Sequence, residues 1–184
     1  MLKQLCLEDR RLARKIANHL EDQHKNHKSQ CKLAPDFLYK GFCGQIHFGR
    51  EFGIPFIFVD QPGGDGGIDY DVGMTIDVKT VTLANFRSMR EAMPKRHLMV
   101  KEGQSTADIY VLCGYKPDAM CILMGWETGP KVGSVKPEVF PAFGGISNHV
   151  IVASMLEPVE KLKRIINRPS STIGVPDNAF GGLF

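Results

Sequence analysis

The sequence predicts an α/β or α+β domain in which a mixed β-sheet is flanked by helices. Two helical patterns come first, strand patterns fill the middle of the chain, and another helical pattern follows near the C-terminus. The 184 residues, 43% of them hydrophobic and 23% charged, are enough to bury one core. We therefore expect a single domain over residues 1–168 and an irregular tail, rich in Pro, Gly and Ser, over residues 169–184.

The first two elements are predicted to be helices. From Leu2 to about His27, apolar residues recur near helical spacing with charged residues between them, which indicates an amphipathic helix. The segment after Pro35 predicts a second helix that begins near Gly41 and stops by Gly53.

The middle of the chain is predicted to form a sheet of five or six strands. "FIFVD" is a short β-rich run that ends in the turn signal "QPGGDGG". "IDYDV" and "TIDVKTV" follow as a hairpin. Three further segments have strand patterns: "RHLMV", "ADIYVLCGY" and "AMCILMGW".

Three shorter patterns lie nearer the C-terminus. "SVKPEVF" is interpreted as a short helical piece and "HVIVAS" as a last strand. "EPVEKLKRII" predicts a helix with Pro158 in its first turn, where the missing N–H does no harm.

Charge and cysteine content limit the function classes. A net charge of +3 permits a polyanionic partner without requiring one. The five cysteines are an odd number without a CxxC pair, and the N-terminus has no apolar signal-peptide core. No run approaches the roughly 18 apolar residues of a membrane span. We therefore expect a cytoplasmic protein without a membrane partner.

The stretch "GGDGGIDYDVGMTIDVKT" concentrates aspartates around one lysine. Side chains alternate along a strand, so Asp77 and Lys79 should share one face. A two-residue loop would place Asp69 opposite Val78, whereas a three-residue loop over residues 72–74 would place it opposite Asp77. Gly73 can supply the left-handed residue that a three-residue loop needs, so the sequence permits the convergent register.

In the convergent register the two carboxylates would be roughly 5 Å apart at their Cβ atoms, which is repulsive unless a cation or proton lies between them. Hard oxygen ligands suit Mg²⁺ or Mn²⁺, and a neighbouring lysine can orient a metal-bound water. The alternative is an acidic surface hairpin in which Asp65, Asp69 and Asp71 are solvated turn residues. The charge pattern alone leaves both open. Asp108, at the start of a predicted strand, is interpreted as a cap or hairpin contact.

The motif "GGIDY" followed by "IDVKT" resembles the signature of the PD-(D/E)XK nuclease superfamily, and its "GDGGID" form is most similar to the Mrr-like restriction members. The resemblance covers roughly residues 38–125. It implies a restriction-endonuclease-like fold, with a central mixed β-sheet flanked by helices, and Mg²⁺-dependent hydrolysis of DNA by an endonuclease. By this resemblance Asp69, Asp77 and the Val78 carbonyl would be ligands of Mg²⁺, for which Mn²⁺ could substitute, and Lys79 would position the attacking water.

The sequence departs from the family at Gln45, where many members carry a glutamate on the helix before the sheet. The Gln45 amide oxygen can contact a metal or water but brings no charge, so we expect Gln45 to join the catalytic group; an ordinary polar helix residue is the alternative. This departure also suggests the rival function, a nucleic-acid-binding or structural domain of the same fold that does not cut.

A nuclease needs phosphate contacts, and basic residues flank the proposed site in the sequence. The predicted DNA-binding residues are Lys40, Arg50, Arg87, Arg90, Lys95 and Arg96. A solvated charged surface is the alternative for each. Many family members act as dimers, so a homodimer is possible. The terminal "GGLF" could dock on a partner protein, and a frayed chain end is the alternative. The sequence does not indicate which DNA structure is cut.

Overall fold

The computed structural model describes residues 1–26, 35–59, 68–103, 107–140 and 145–167, and these form a mixed α/β fold. The predicted tail and Asp65 lie outside the described residues. In chain order the helices and strands are β1 (Lys3–Gln4), α1 (Leu7–Asn26), α2 (Pro35–Phe52), β2 (Tyr70–Asp71), β3 (Thr75–Thr82), α3 (Met89–Ala92), β4 (His97–Lys101), β5 (Ile109–Lys116), β6 (Met120–Thr128), α4 (Gly129–Ser134), β7 (Glu138–Phe140), β8 (Ile146–Val152) and α5 (Val159–Ile166).

The strands form two sheets rather than the single sheet that the sequence predicted. The five-stranded sheet has the order β1-β6-β5-β3-β2, with β3 and β5 parallel and the other neighbours antiparallel. β4 does not join it but pairs with β8 in an antiparallel three-stranded sheet, β4-β8-β7. The parallel pairing of β3 with β5 requires a crossover connection, and β4 lies within that connection. A strand pattern predicts a strand without indicating its partner, so the sequence could not show that β4 belongs to a second sheet.

Two hydrophobic cores lie on opposite faces of the five-stranded sheet. Ile76 and Val78 of β3 pack in the core beneath α1, α2 and α5. Tyr110 and Leu112 of β5 pack in the other core with residues of β4, β8 and α4. The sheet is therefore the middle layer, and successive residues of β3 face different cores.

The second helix starts earlier than predicted, at Pro35 rather than near Gly41, because proline is well suited to the first position of a helix. A Cβ atom added at Gly44 would lie 2.0 Å from Thr80 Oγ1, so the absent side chain lets α2 approach β3 closely. The predicted end is confirmed: Gly53, with φ of +68°, follows the last helical residue.

Two other predictions about local structure are wrong. Residues 54–59 form no strand, although their side chains alternate: Phe58 packs on Phe42 of α2 while Ile57 is 70% exposed. The "SVKPEVF" segment contains β7 rather than a helix, because Pro137 biases the residue before it towards extended backbone.

The remaining elements agree in type with their sequence patterns, but the first helix begins later than predicted. The amphipathic helix expected from Leu2 is α1, which begins at Leu7, because Lys3 and Gln4 pair with β6 as the strand β1. The hairpin is β2 and β3, and the later strand patterns correspond to β4, β5, β6 and β8. The last helix, α5, has Pro158 at its N-cap. Among the described residues, no helix is both long and apolar enough to cross a membrane.

Candidate active site

The β2–β3 turn has the three-residue form on which the proposed site depends. Tyr70 is paired with Ile76 and Asp71 with Thr75, so the loop comprises residues 72–74. Gly73 has φ of +81° and supplies the left-handed residue. Continuing this register by one residue brings Asp69 to the level of Asp77.

The Asp69 carboxylate is fixed by a hydrogen bond at each oxygen. Oδ1 accepts from Gln45 Nε2 at 2.6 Å, and Oδ2 accepts from the backbone N–H of Val78 at 2.7 Å. The Asp69 N–H itself donates to the Ile76 carbonyl at 2.9 Å. Asp69 is therefore held against β3, beside the residues that the motif identifies.

Gln45 reaches Asp69 because α2 is anchored to the hairpin. The hydroxyl of the buried Tyr70 donates to the Gln45 carbonyl at 2.6 Å. Burial, with a contribution from the negative charge of Asp69, raises the pKa of Tyr70, so this hydroxyl stays protonated as a donor. The Gln45 amide presents its NH₂ group to Asp69, so in this geometry it orients the carboxylate.

Asp77 and Lys79 form an ion pair on one face of β3, as strand alternation predicts. Lys79 Nζ lies 2.7 Å from Asp77 Oδ2. Asp77 is 3% exposed, whereas the Lys79 side chain is 36% exposed. A buried carboxylate needs a compensating partner, and Lys79 supplies one while its own side chain reaches towards solvent.

The Val78 carbonyl lies on the same side of β3 as Asp69. Val78 donates its N–H to Asp69, and the N–H and C=O of one strand residue point to the same side of the strand. The pairing with β2 ends at Ile76, so no described strand covers Val78 on that side. Its carbonyl oxygen is directed towards the edge of the sheet where Asp69 lies.

The donor chemistry of this edge suits a hard cation. Asp69, Asp77 and the Val78 carbonyl offer only oxygen, and Gln45 could add its amide oxygen by rotating. In the described part of the chain no cluster of three or more His, Cys, Asp or Glu side chains could hold a metal. An ion at this edge would combine two carboxylates with carbonyl oxygen and water, which is the ligand set that Mg²⁺ accepts.

The sheet register extends the site beyond the motif. Asp77 is paired with Tyr110 on β5, and Tyr110 is paired with Glu127 on β6, so the three side chains form a row on one face. Both Tyr110 and Glu127 are buried. Glu127 pairs with Lys131 of α4 at 2.5 Å, and this hydrogen bond raises the pKa of Lys131. Sequence reasoning missed this row because only strand pairing brings its members together.

Asp108 makes the strand contact that its position suggested. Its Oδ2 accepts from the backbone N–H of Thr75 at 2.7 Å and from the Thr75 hydroxyl at 2.9 Å. These hydrogen bonds lower the pKa of Asp108. The contact ties the start of β5 to the start of β3.

The predicted DNA-binding residues fall into two groups. Arg87, Arg90 and Lys95 are exposed in the segment that connects β3 to β4. Arg96, in the same segment, is half-buried, with its guanidinium 4.5 Å from the centre of the Phe86 ring.

The residues of the other group lie on α2. Arg50 donates to both oxygens of the buried Asp9, at 2.7 and 3.1 Å, which links α2 to α1. Burial opposes ionisation of Asp9, but the Arg50 hydrogen bonds hold its pKa below the usual value. Lys40 is half-buried, with Nζ 5.4 Å from the centre of the Phe37 ring.

Comparison with known proteins gives no family assignment: no protein-family model matches the chain, and no curated protein matches it.

Proposed function

We propose that this protein is a Mg²⁺-dependent DNA phosphodiester hydrolase, an endonuclease of the PD-(D/E)XK type with a restriction-endonuclease-like fold. The strongest support is the register of the β2–β3 hairpin. Its three-residue turn brings Asp69 to the level of Asp77, with Lys79 on the same strand 2.7 Å from the Asp77 carboxylate.

Asp69, Asp77 and the Val78 carbonyl would hold the metal. When bound, Mg²⁺ would lower the pKa of a coordinated water and polarise the phosphate. Gln45 and the Val78 N–H fix the orientation of Asp69 before any ligand arrives, at 2.6 and 2.7 Å. Such preorganisation reduces the rearrangement that substrate binding must drive.

Lys79 is the residue best placed to act on the attacking water. Its ammonium group donates hydrogen bonds, carries a positive charge and lies beside Asp77 in a partly exposed position. It can orient water towards phosphorus and stabilise the negative charge that grows on the phosphoryl oxygens. Hydrolysis forms one P–O bond to the water oxygen and breaks one P–O ester bond.

Cleavage of supercoiled plasmid DNA tests this function. The full chain should nick or linearise the plasmid in Mg²⁺ or Mn²⁺ and leave it intact in EDTA. Asp77→Asn and Lys79→Gln should each lower the rate by about a hundredfold or more, since each removes a charged group of the site. Circular dichroism should show that both variants fold.

Asp71→Asn is the matched control, because Asp71 lies in the same hairpin, is exposed and accepts a hydrogen bond from its own turn, at Gly73 N. It should cleave at close to the wild-type rate. Cleavage that continues in EDTA, or in folded Asp77→Asn protein, would exclude the proposed site.

A non-cleaving DNA-binding domain of the same fold is the second candidate function. One observation favours it: both oxygens of Asp69 already accept hydrogen bonds, and Asp77 is already paired with Lys79. Such a site is satisfied without a cation. Binding of DNA without cleavage in either metal would support this candidate.

The proposed setting is the cytoplasm and the proposed partner is DNA, with a homodimer as a possible assembly. The four cysteines within the described residues, Cys6, Cys43, Cys113 and Cys121, are free thiols, which supports a reducing compartment. Docking of the terminal "GGLF" remains a prediction, since it lies outside the described residues.

A further inference from the structure

A cavity of about 700 Å³ lies on the face of the five-stranded sheet that carries Asp77. Tyr110 lines this cavity and is also the residue paired with Asp77 across the parallel β3–β5 register. Neighbouring strands are about 4.8 Å apart, so the backbone of this lining residue lies one strand spacing from the backbone of Asp77. Its volume is within the range of small-molecule sites, roughly 300–1,000 Å³.

The wall of the cavity is largely apolar with polar groups at defined places. Val100, Ala107 and Val132 line its apolar side and are themselves buried. Asp108 also lines the cavity, and its Oδ2 is held by the two hydrogen bonds from Thr75. Among the described residues no donor contacts Asp108 Oδ1, so this oxygen can accept a hydrogen bond from a ligand.

His149 provides a second acceptor. Its Nδ1 lies 2.7 Å from the Val135 carbonyl oxygen. A carbonyl oxygen only accepts, so Nδ1 carries a hydrogen, and Nε2 is an acceptor in the tautomer that has its one hydrogen on Nδ1. The cavity therefore offers hydrogen-bond acceptors, from Asp108 and His149, between apolar walls.

The charges on either side of Tyr110 would orient a nucleotide. Lys79 places a positive charge next to Asp77, whereas Asp108 places a negative charge in the cavity. The Thr75 hydrogen bonds lower the pKa of Asp108 and so keep it ionised, and a carboxylate repels phosphate. A phosphate is thus favoured near Lys79, and an uncharged group that donates hydrogen bonds is favoured in the cavity.

We infer that this cavity, which we call the base pocket, binds an unpaired nucleobase with an exocyclic amino group, next to the phosphate that is cut. The inference rests on the proposed function and narrows its substrate class. A nucleobase has apolar faces and the amino donors that Asp108 and His149 would accept. A base in a duplex is stacked and paired, so it must leave the helix or belong to a single strand before it can enter. The substrate is therefore DNA with an unpaired nucleotide at the cleavage site.

Binding of oligo(dC) and oligo(dT) of equal length tests the base pocket. The two bases are both pyrimidines, but cytosine has an amino donor where thymine has a carbonyl acceptor. Fluorescence anisotropy with the full chain, in EDTA to prevent cleavage, should show about fivefold tighter binding of oligo(dC), the effect of one net hydrogen bond. Equal affinities would overturn the inference.

Gly133→Leu fills the pocket, and Gly41→Leu is its matched control. Both glycines are in helices, and among the described residues no atom lies within 4 Å of a Cβ added at either; of the two, Gly133 lines the cavity. Gly133→Leu should reduce the affinity for oligo(dC) to that for oligo(dT), whereas Gly41→Leu should retain the preference. A preference that survives in Gly133→Leu would overturn the inference.

Asp108→Asn gives a second test that does not depend on filling the cavity. The two Thr75 donors should bind the amide oxygen, which turns the NH₂ group towards the position of Oδ1. The pocket then offers a donor, so the preference should shift from oligo(dC) to oligo(dT). An unchanged preference for oligo(dC) would count against Asp108 as the acceptor and overturn the inference.

The outcomes for the base pocket and for the proposed function are separable. Asp77→Asn should lose cleavage yet keep the preference for oligo(dC) in EDTA. A wild-type protein that prefers oligo(dC) but never cleaves DNA would contradict the nuclease and retain the base pocket. A protein that cleaves DNA in Mg²⁺ but has no base preference would contradict the base pocket and retain the nuclease.

Discussion

Gln45 donates its side-chain amide to the Asp69 carboxylate at 2.6 Å, across the junction between α2 and the β2–β3 hairpin. Their positions differ by 24 residues, so this contact depends on how the helix docks on the sheet. Tyr70 fixes that docking through its bond to the Gln45 carbonyl. A neutral donor next to Asp69 satisfies this carboxylate in the absence of a cation, and this property can be tested by changing the charge of Gln45.

Gln45→Glu should make folding depend more strongly on divalent metal. The substitution replaces a hydrogen-bond donor with a second carboxylate next to Asp69, so in EDTA we expect a loss of about 1–3 kcal/mol in the free energy of unfolding. A cation would relieve the repulsion. Thermal denaturation of wild type and variant, each in EDTA and in excess Mg²⁺, measures the effect.

Gln45→Ala is the control for Gln45→Glu, since it removes the hydrogen bond without adding charge. Stabilisation by Mg²⁺ should be larger in Gln45→Glu than in Gln45→Ala. Equal Mg²⁺ responses in the two variants would show that no cation approaches this carboxylate pair.

Gly73→Ala should destabilise the hairpin and reduce cleavage. Gly73 has φ of +81°, a conformation that costs an alanine about 1 kcal/mol, although no atom of the described residues would lie within 4 Å of its Cβ. Because this turn sets the level of Asp69 relative to Asp77, the variant should lose activity in excess of its loss of stability. Urea denaturation and plasmid cleavage, measured on the same preparation, compare the two effects.

Gly41→Ala serves as the comparison for Gly73→Ala. Gly41 lies within α2 and has no positive φ, and in the described part of the chain no atom would lie within 4 Å of its Cβ. Alanine there should stabilise the protein by about 0.5–1 kcal/mol. If Gly73→Ala also stabilised the protein, the left-handed turn would not be a constraint on the hairpin.

The turn shows which part of the site could be predicted from sequence. Strand alternation alone placed Asp77 and Lys79 on one face, because the period of a strand is fixed by its backbone. The position of Asp69 depended on loop length, which the sequence left open between two and three residues. In the structure the loop has three residues, as the pairing of Tyr70 with Ile76 and of Asp71 with Thr75 shows, and Gly73 adopts the positive φ that such a loop needs.

Long-range pairing explains what the sequence could not predict. β4 was predicted as a strand in the same way as the strands of the larger sheet, yet it pairs with β8, which follows about 50 residues later. The row of Asp77, Tyr110 and Glu127 likewise depends on the registers of β3, β5 and β6. The glycines of α2 suggested a late helix start, but Gly44 is required by the approach of Thr80.

His47 should make the protein less stable as the pH falls from about 6.5 to about 4. Burial lowers the pKa of His47 from 6.5 to about 4, although the nearby Glu51 favours the charged form. In this range the unfolded chain binds a proton that the folded protein does not, so stability increases with pH. The free energy of unfolding falls by at most about 3 kcal/mol through this titration. The loss is complete once the pH is below the pKa of His47 in both the folded and the unfolded state.

His47→Gln removes this titration and should flatten the dependence of stability on pH between about 6.5 and 4. Urea denaturation at several pH values measures the slope for wild type and variant. Asp9 also contributes to acid sensitivity, since its lowered pKa gives stability that is lost as the pH falls through the folded-state pKa. A slope near pH 5.5 that is the same in His47→Gln as in wild type would contradict the assignment to His47.

Arg87, Arg90 and Arg50 should differ in their effects on DNA affinity. Arg87 and Arg90 are exposed in the segment after β3, whereas Arg50 is committed to Asp9 by two hydrogen bonds. A contact to one phosphate adds about one unit to the slope of log affinity against log salt concentration. The variants Arg87→Gln and Arg90→Gln should each weaken DNA binding and reduce this slope by about one.

Arg50→Gln should leave the slope unchanged but destabilise the fold, because it leaves the buried Asp9 without its partner. Anisotropy titrations over a range of salt concentrations measure the slope, and unfolding is measured in parallel. If Arg50→Gln alone changed the slope, Arg50 rather than Arg87 and Arg90 would be the phosphate contact.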